Sequence, residues 1–166
     1  MSCRTRLCEF SCILTVAIAV LAPAAATKAA QPGYLLEKFR SGNAIVETKG
    51  PRCLLLSIYF ADNSEQRSQG LMFVRELGER EGMLFRYGGS ARLTMWMKNT
   101  YVSLDMLFIR SDGSISQIAP NTVPESTARI SSNEPAAAVL EVNAGFAERW
   151  MIEPGNRLLA VSEFSS

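Results

Sequence analysis

Between Ile45 and Phe164 the chain runs in short apolar stretches separated by glycine, proline and small polar residues. Such runs, rich in Val, Ile, Leu, Met and Phe, predict strands. Residues 45–48 form the first, and Lys49-Gly50-Pro51 turns the chain after it. Residues 53–60 carry the clearest alternation: Leu54, Leu56, Ile58 and Phe60 share one face, and Cys53, Leu55, Ser57 and Tyr59 share the other. Further strands are expected at 83–87, closed by Gly88-Gly89, then at 93–97, 104–110, from 115, at 137–142 and at 157–164. Asp112-Gly113, between two β-rich runs, supplies the positive φ angles of a tight hairpin. Two short helices interrupt the strands. Asp62-Asn63-Ser64 offers side-chain oxygens to cap the first, which Gly70 ends. The second spans 144–151, with Phe146, Trp150 and Met151 directed at the core.

The pattern predicts a mainly β (α+β) fold: a single small closed or nearly closed β-barrel of about seven or eight short strands with two short helices. Closure suits a chain this short because it removes unpaired strand edges. Residues 27–42 are expected to form a flexible lead-in, and 43–166 the barrel-like domain. Residues 121–135 are polar and aperiodic and include Pro124 and Pro135. A connection of that length is expected to be either a binding loop or a surface excursion.

The N-terminus has a different character. Arg4 and Arg6 precede an apolar run at 13–22, and Pro23-Ala24-Ala25-Ala26 follows with small side chains. Charge, apolar core and small-residue site in that order predict a secretory signal peptide over 1–26. Glu9 keeps the apolar run short of a bilayer span, and no cysteine follows it to carry a lipid, so no stable membrane anchor is expected. The expected location is periplasmic or secreted. Arg4, Arg6, Glu9 and three of the four cysteines would leave with the leader, so the remaining charges balance and Cys53 is the lone thiol. No internal disulfide is then possible, and a buried Cys53 in a monomeric protein is the expectation.

Composition removes whole classes of chemistry. The 166 residues contain no histidine, which excludes Ser-His-Asp and Cys-His catalysis and histidine metal sites. With 17 basic and 16 acidic side chains there is no charge reason to expect a nucleic acid partner. Phosphate-binding glycine loops, nucleophile elbows and Ser-x-x-Lys pairs are also absent. No cofactor is expected.

The distinctive segments lie between Gly70 and Phe108: Gly70-Leu71-Met72-Phe73, Gly82-Met83-Leu84-Phe85, Met95-Trp96-Met97-Lys98-Asn99-Thr100 and Leu104-Asp105-Met106-Leu107-Phe108. In this order and spacing they closely resemble the bacterial and archaeal domain-of-unknown-function family 192, over roughly residues 45–164. Ser103, Met95 and Asn156 depart from residues usual in that family (proline, an aromatic and aspartate). The resemblance implies a small, mainly β domain, often exported, and carries no established activity.

Read for their own chemistry, Trp96, Lys98, Asn99 and Asp105 are the candidate ligand-binding residues. Lysine donates, asparagine donates and accepts, aspartate accepts, and tryptophan offers a stacking face. Together they would suit a small polar ligand or a protein segment in a non-enzymatic binding or accessory domain. The structural alternative makes Asp105 a backbone cap, Lys98 its ion-pair partner and Asn99 a turn former. A hydrolase or transferase using Asp105 as base and Lys98 to polarise the substrate is a further reading. A minor one is Cu(I) held by thioethers, since Met72, Met83, Met95, Met97 and Met106 cluster and Met95 and Met97 share a strand face. Against it stands the ordinary use of methionine as core filler. Arg67 and Arg92 are expected as solvated surface charges.

Overall fold

The computed structural model describes residues 33–49 and 52–164. The expected signal peptide at 1–26 and the Gly50-Pro51 turn lie outside the described residues. The elements run α1 (Gly33–Lys38), β1 (Ser41–Glu47), β2 (Cys53–Ala61), α2 (Ser64–Gln69), β3 (Glu81–Ala91), β4 (Thr94–Met95), β5 (Leu104–Ile109), β6 (Ile115–Ala119), β7 (Ile130–Ser131), β8 (Ala136–Asn143), α3 (Phe146–Arg149) and β9 (Leu158–Glu163). Seven strands make one sheet in the order β6-β5-β8-β3-β2-β1-β9, while β4 and β7 form a two-residue ladder. Pairings in the large sheet are antiparallel except β2 with β3, which are parallel. A parallel pair needs a crossover, and α2 with the turns after it supplies one.

The sheet curls until its two edges meet at one end. There Ser114 bridges Arg157, Leu158 N–H donates to Gly113 C=O at 2.9 Å, and Ile115 N–H donates to Asn156 C=O at 2.8 Å. The fold is therefore mostly β and a curled, half-closed barrel. Its inner face carries Val46, Leu56, Ile58, Phe60, Leu107 and Val142, and Phe146 and Ala147 of α3 plug it. The outer face of β2, β3, β8 and β5 is also apolar, with Tyr59, Met83, Phe85, Met106, Phe108 and Val139. Leu35, Phe39, Leu71, Met95 and Met97 cover it.

Local chemistry explains most boundaries. Asn63 Oδ1 accepts from Gln66 N–H at 2.8 Å and the Gln66 side chain reaches back, completing a capping box at α2. Gly70 ends that helix at φ +47°, where a side chain would be strained and its Cβ would stand 3.0 Å from the Phe85 ring. Asp62 is braced by Arg86 at 2.5 and 2.8 Å and by Arg40 at 2.8 Å, and both arginines also pair with Glu163 of β9. Hydrogen bonding from Arg86 above all, then from Arg40, holds the Asp62 carboxyl below its ordinary range, although its partial burial opposes this.

Four expectations are corrected. The lead-in is not loose where it is described: residues 33–38 form α1, and Leu35 and Phe39 are buried because the outer sheet face needs covering. Cys53 is exposed, because it shares the outward side of β2 with Leu55, itself 54% exposed, where nothing overlies the sheet. β3 continues through Gly88-Gly89, whereas the strand expected at 93–97 shrinks to two residues. Met151 is exposed at φ +52°, because α3 stops at Arg149 before Met151 can turn inward.

Asp105 fastens the remaining parts together. On β5 it lies between Leu104 and Met106, which face outward, so it points inward beside Leu107. It is fully buried, and its carboxylate accepts three backbone N–H bonds: Asn121 at 2.8 Å, Gly145 at 3.1 Å and Ala147 at 2.9 Å. One side chain thus holds the start of the 121–135 loop and the first turn of α3 to the sheet. Asp105→Ala would strand three amides. Denaturant unfolding is expected to show a loss of about 3 kcal/mol or more. Asp105→Asn should lose less, because its amide nitrogen opposes only the Ala147 N–H.

Candidate functional site

A cavity of about 310 Å³ opens on the outer face of the sheet. One wall is the end of α2 and the turn after it, with Arg67, Gln69 and Met72. The opposite wall is the segment running from β4, with Trp96 and Lys98, and the floor is Phe85 and Tyr87 of β3 with Glu141 of β8. Its size is at the low end of small-molecule sites.

The walls are tied to each other. Phe73 N–H donates to Asn99 C=O at 2.8 Å, and Asn99 Nδ2 contacts Met72 Sδ at 3.9 Å. Phe73 and Asn99 take φ values of +66° and +56°, so both turns hold their shape at some strain. The 121–135 loop buttresses the same wall from behind: Met97 N–H donates to Ser126 C=O at 3.0 Å, and Glu125 N–H to Thr100 C=O at 3.0 Å. Its Ile130–Ser131 strand pairs with β4.

Trp96, 50% exposed, stands at the mouth with Lys98 Nζ 5.8 Å from its ring centroid, within cation–π range. Lys98 makes no ion pair among the described residues. Arg67 lays its guanidinium 4.9 Å from the Tyr87 ring centroid and donates to the Asp62 and Arg86 carbonyls, so it belongs to the wall rather than to free solvent. Gln69 Nε2 is buried without a hydrogen-bond partner among the described residues.

Of the four residues singled out in the sequence, the structure brings Trp96 and Lys98 together at this cavity. Asn99 shapes the adjoining turn. Asp105 lies on the opposite face, occupied by backbone amides, and the Lys98–Asp105 pair is not formed. The methionines divide similarly: Met83, Met95, Met97 and Met106 are buried in the outer core, where Met95 and Met97 sulfurs accept from Tyr87 OH at 3.6 Å and Thr122 Oγ1 at 3.2 Å. These contacts favour core filling for methionine. Among the described residues no three Cys, Asp or Glu side chains gather as a metal cluster would require.

Glu141 was not singled out by the sequence. It is only 4% exposed, faces the cavity, and forms no hydrogen bond or ion pair among the described residues. Burial alone pushes its carboxyl up to about 8, so it is mostly protonated at neutral pH. Neighbouring Tyr87 is also pushed up, by burial first and by Glu141 in part, with Arg67 opposing. The available signal was one acid between Leu140 and Val142 in an otherwise apolar strand, which reads equally as a solvated edge position.

The burial of Glu141 has a stability consequence with a definite sign. In the unfolded chain this carboxyl ionises near its ordinary value, whereas in the folded protein it keeps its proton up to about 8. Between those values the native state binds the extra proton, so stability falls as pH rises, by roughly 1.4 kcal/mol per pH unit. Above about 8 the loss levels off. Subtracting the unfolding free energy of Glu141→Gln from that of the parent protein across pH 4 to 9 should isolate this slope. A difference that stays flat with pH would contradict the burial.

The solved structures that resemble the chain include the following two. One, from Sinorhizobium meliloti 1021 and described as a proposed transcription regulator, is 43% identical, with a TM-score of 0.71 over 75% of this chain and 95% of that one. The other, a protein of unknown function from Novosphingobium aromaticivorans DSM 12444, is 35% identical, with a TM-score of 0.67 over 72% of this chain and 83% of that one. No curated protein matches the chain in sequence. The family profile of DUF192, described as "Uncharacterized ACR", matches residues 44–160, a span that includes both walls and the floor of the cavity. The chain belongs to the DUF192 family.

Proposed function

We propose that the protein is an exported, non-enzymatic binding domain that takes a small polar ligand into the cavity between Trp96, Lys98 and Glu141. The observation that carries this reading is the combination at one opening: an exposed indole, an unpaired ammonium and a buried acid in a walled space of about 310 Å³. Ligand sites combine apolar lining with polar groups placed to orient the guest. This cavity is evenly mixed, with Leu71, Met72 and Phe85 beside Gln69, Lys98 and Glu141, which suits a polar guest. Export is supported by the sequence at 1–26. The nearly balanced charge favours a small molecule over nucleic acid, whatever the description of the Sinorhizobium neighbour.

The test is a panel of amino acids, short peptides, sugars and organic acids, read by tryptophan fluorescence and by calorimetry. A panel member should bind, and Trp96→Ala and Lys98→Ala should each weaken it about tenfold, as expected for losing a stacking or charge contact. Lys98 is exposed, so its substitution should move stability by less than about 0.5 kcal/mol. Trp96 is half-buried, and its truncation should cost about 2 kcal/mol or less. Binding untouched by either change would place the ligand elsewhere and refute the reading. Protein recovered from outside the cytoplasm should begin near Thr27, and retention of Met1 would refute export processing.

A further inference from the structure

The cavity is chemically lopsided. Its floor holds an acid with no partner, Glu141, while its mouth holds a cation with no ion pair, Lys98. In the wall, the Gln69 Nε2 donor is buried without a hydrogen-bond partner among the described residues. The Glu141 carboxyl opens onto the cavity with no protein partner among the described residues, so any group that pairs with it there comes from outside the chain. Charged and polar groups from every neighbouring element have other positions or commitments. Arg67 of α2 is bonded to two backbone carbonyls, and Tyr87 of β3 is turned to the Met95 sulfur. Glu81 and Tyr59 lie further along the same outer face, with Glu81 accepting from Gly78 N–H. On the other side β5 presents Met106 to Glu141, and its Asp105 points to the inner face.

Resting on the binding reading above, we infer that the ligand is a small zwitterion whose protonated amine seats on Glu141 while its carboxylate pairs with Lys98 at the mouth. An ammonium reaching Glu141 converts an isolated buried acid into a charge-assisted hydrogen-bonded pair, which offsets the cost of ionising it there. A neutral guest would leave that acid unionised, and an anion would meet only the mouth. The carboxylate end also offers acceptors to the exposed Lys98 ammonium and to the unpartnered Gln69 Nε2. Trp96 stacks on the aliphatic spacer between the two ends. Proton balance follows directly: the protonated amine and the protonated carboxyl together yield an ammonium–carboxylate pair and one proton released to solvent.

Calorimetry on the purified protein with ω-amino acids of increasing length (glycine, γ-aminobutyrate, ε-aminocaproate) tests the inference. Running each titration in two buffers of different ionisation enthalpy counts the protons. One spacing should bind best, releasing about 0.9 proton per site at pH 7 and about 0.1 at pH 9, the protonated fractions of a group titrating at about 8. Glu141→Gln should abolish the release and weaken binding at least tenfold, whereas Lys98→Ala should weaken binding and leave the proton count unchanged. n-Butylammonium should retain the release, and butyrate should show none. Binding of the ω-amino acids without proton release, or equally tight binding to Glu141→Gln, overturns the inference and leaves the cavity reading standing. Failure of every ω-amino acid to bind also overturns it, and the wider panel then decides the cavity reading by itself. Should Glu141→Gln fold poorly, the proton count on the parent protein and on Lys98→Ala still decides.

Discussion

The central strands of this sheet are apolar on both faces, and the rest of the molecule is arranged to cover them twice. All six residues of β5 are buried, although alternate side chains point opposite ways. Each exposed Leu, Met or Phe would forfeit roughly 1.5–3 kcal/mol of burial. Curling the sheet and inserting α3 covers the inner face. The outer face is covered by α1, by the turn after α2 and by the segment around β4. These covering pieces are short and meet imperfectly, and the cavity is the seam between two of them.

Two acids on neighbouring strands show how sharply the period of a strand divides structural from chemical roles. Asp105 is paired with Val142 across the ladder and faces inward, whereas Glu141 is paired with Met106 and faces outward. A shift of one residue separates them. Asp105 meets three backbone amides at the mouth of the barrel, where loop and helix turns converge. Glu141 meets an open cavity and no donor. Both are buried, but Asp105 accepts three backbone hydrogen bonds, whereas burial holds Glu141 mostly neutral.

The turns beside the cavity, and the loop behind them, are held by strained backbone rather than by regular structure. Phe73, Asn99, Asn121 and Glu125 all adopt positive φ, and hydrogen bonds at 2.8 to 3.0 Å lock them to one another or to Asp105 and Thr100. Left-handed conformations cost energy in residues with side chains and persist where surroundings impose them. Such turns fix the backbone that carries Trp96 and Lys98.

Most strands of the large sheet, the helix cap at 62–64, the hairpin at Asp112-Gly113 and family membership were legible in the sequence. These depend on period, turn chemistry and short motifs, which are properties of neighbouring residues. The motif residues Trp96 and Lys98 were legible as candidates for the same reason. The exposure of Cys53, the burial of Leu35 and Phe39, and the parting of Asp105 from Lys98 were not, because each depends on which face of the sheet another segment covers. Glu141 is the clearest case. Within residues 137–142 it is the one polar side chain, which by itself singled out nothing. Only the folding of Trp96, Arg67 and Gln69 over it decided that it is buried, unpartnered among the described residues and at the floor of a cavity. Local sequence sets which way a side chain points relative to its own strand, whereas the environment it points into is assembled from residues 40 to 80 positions away.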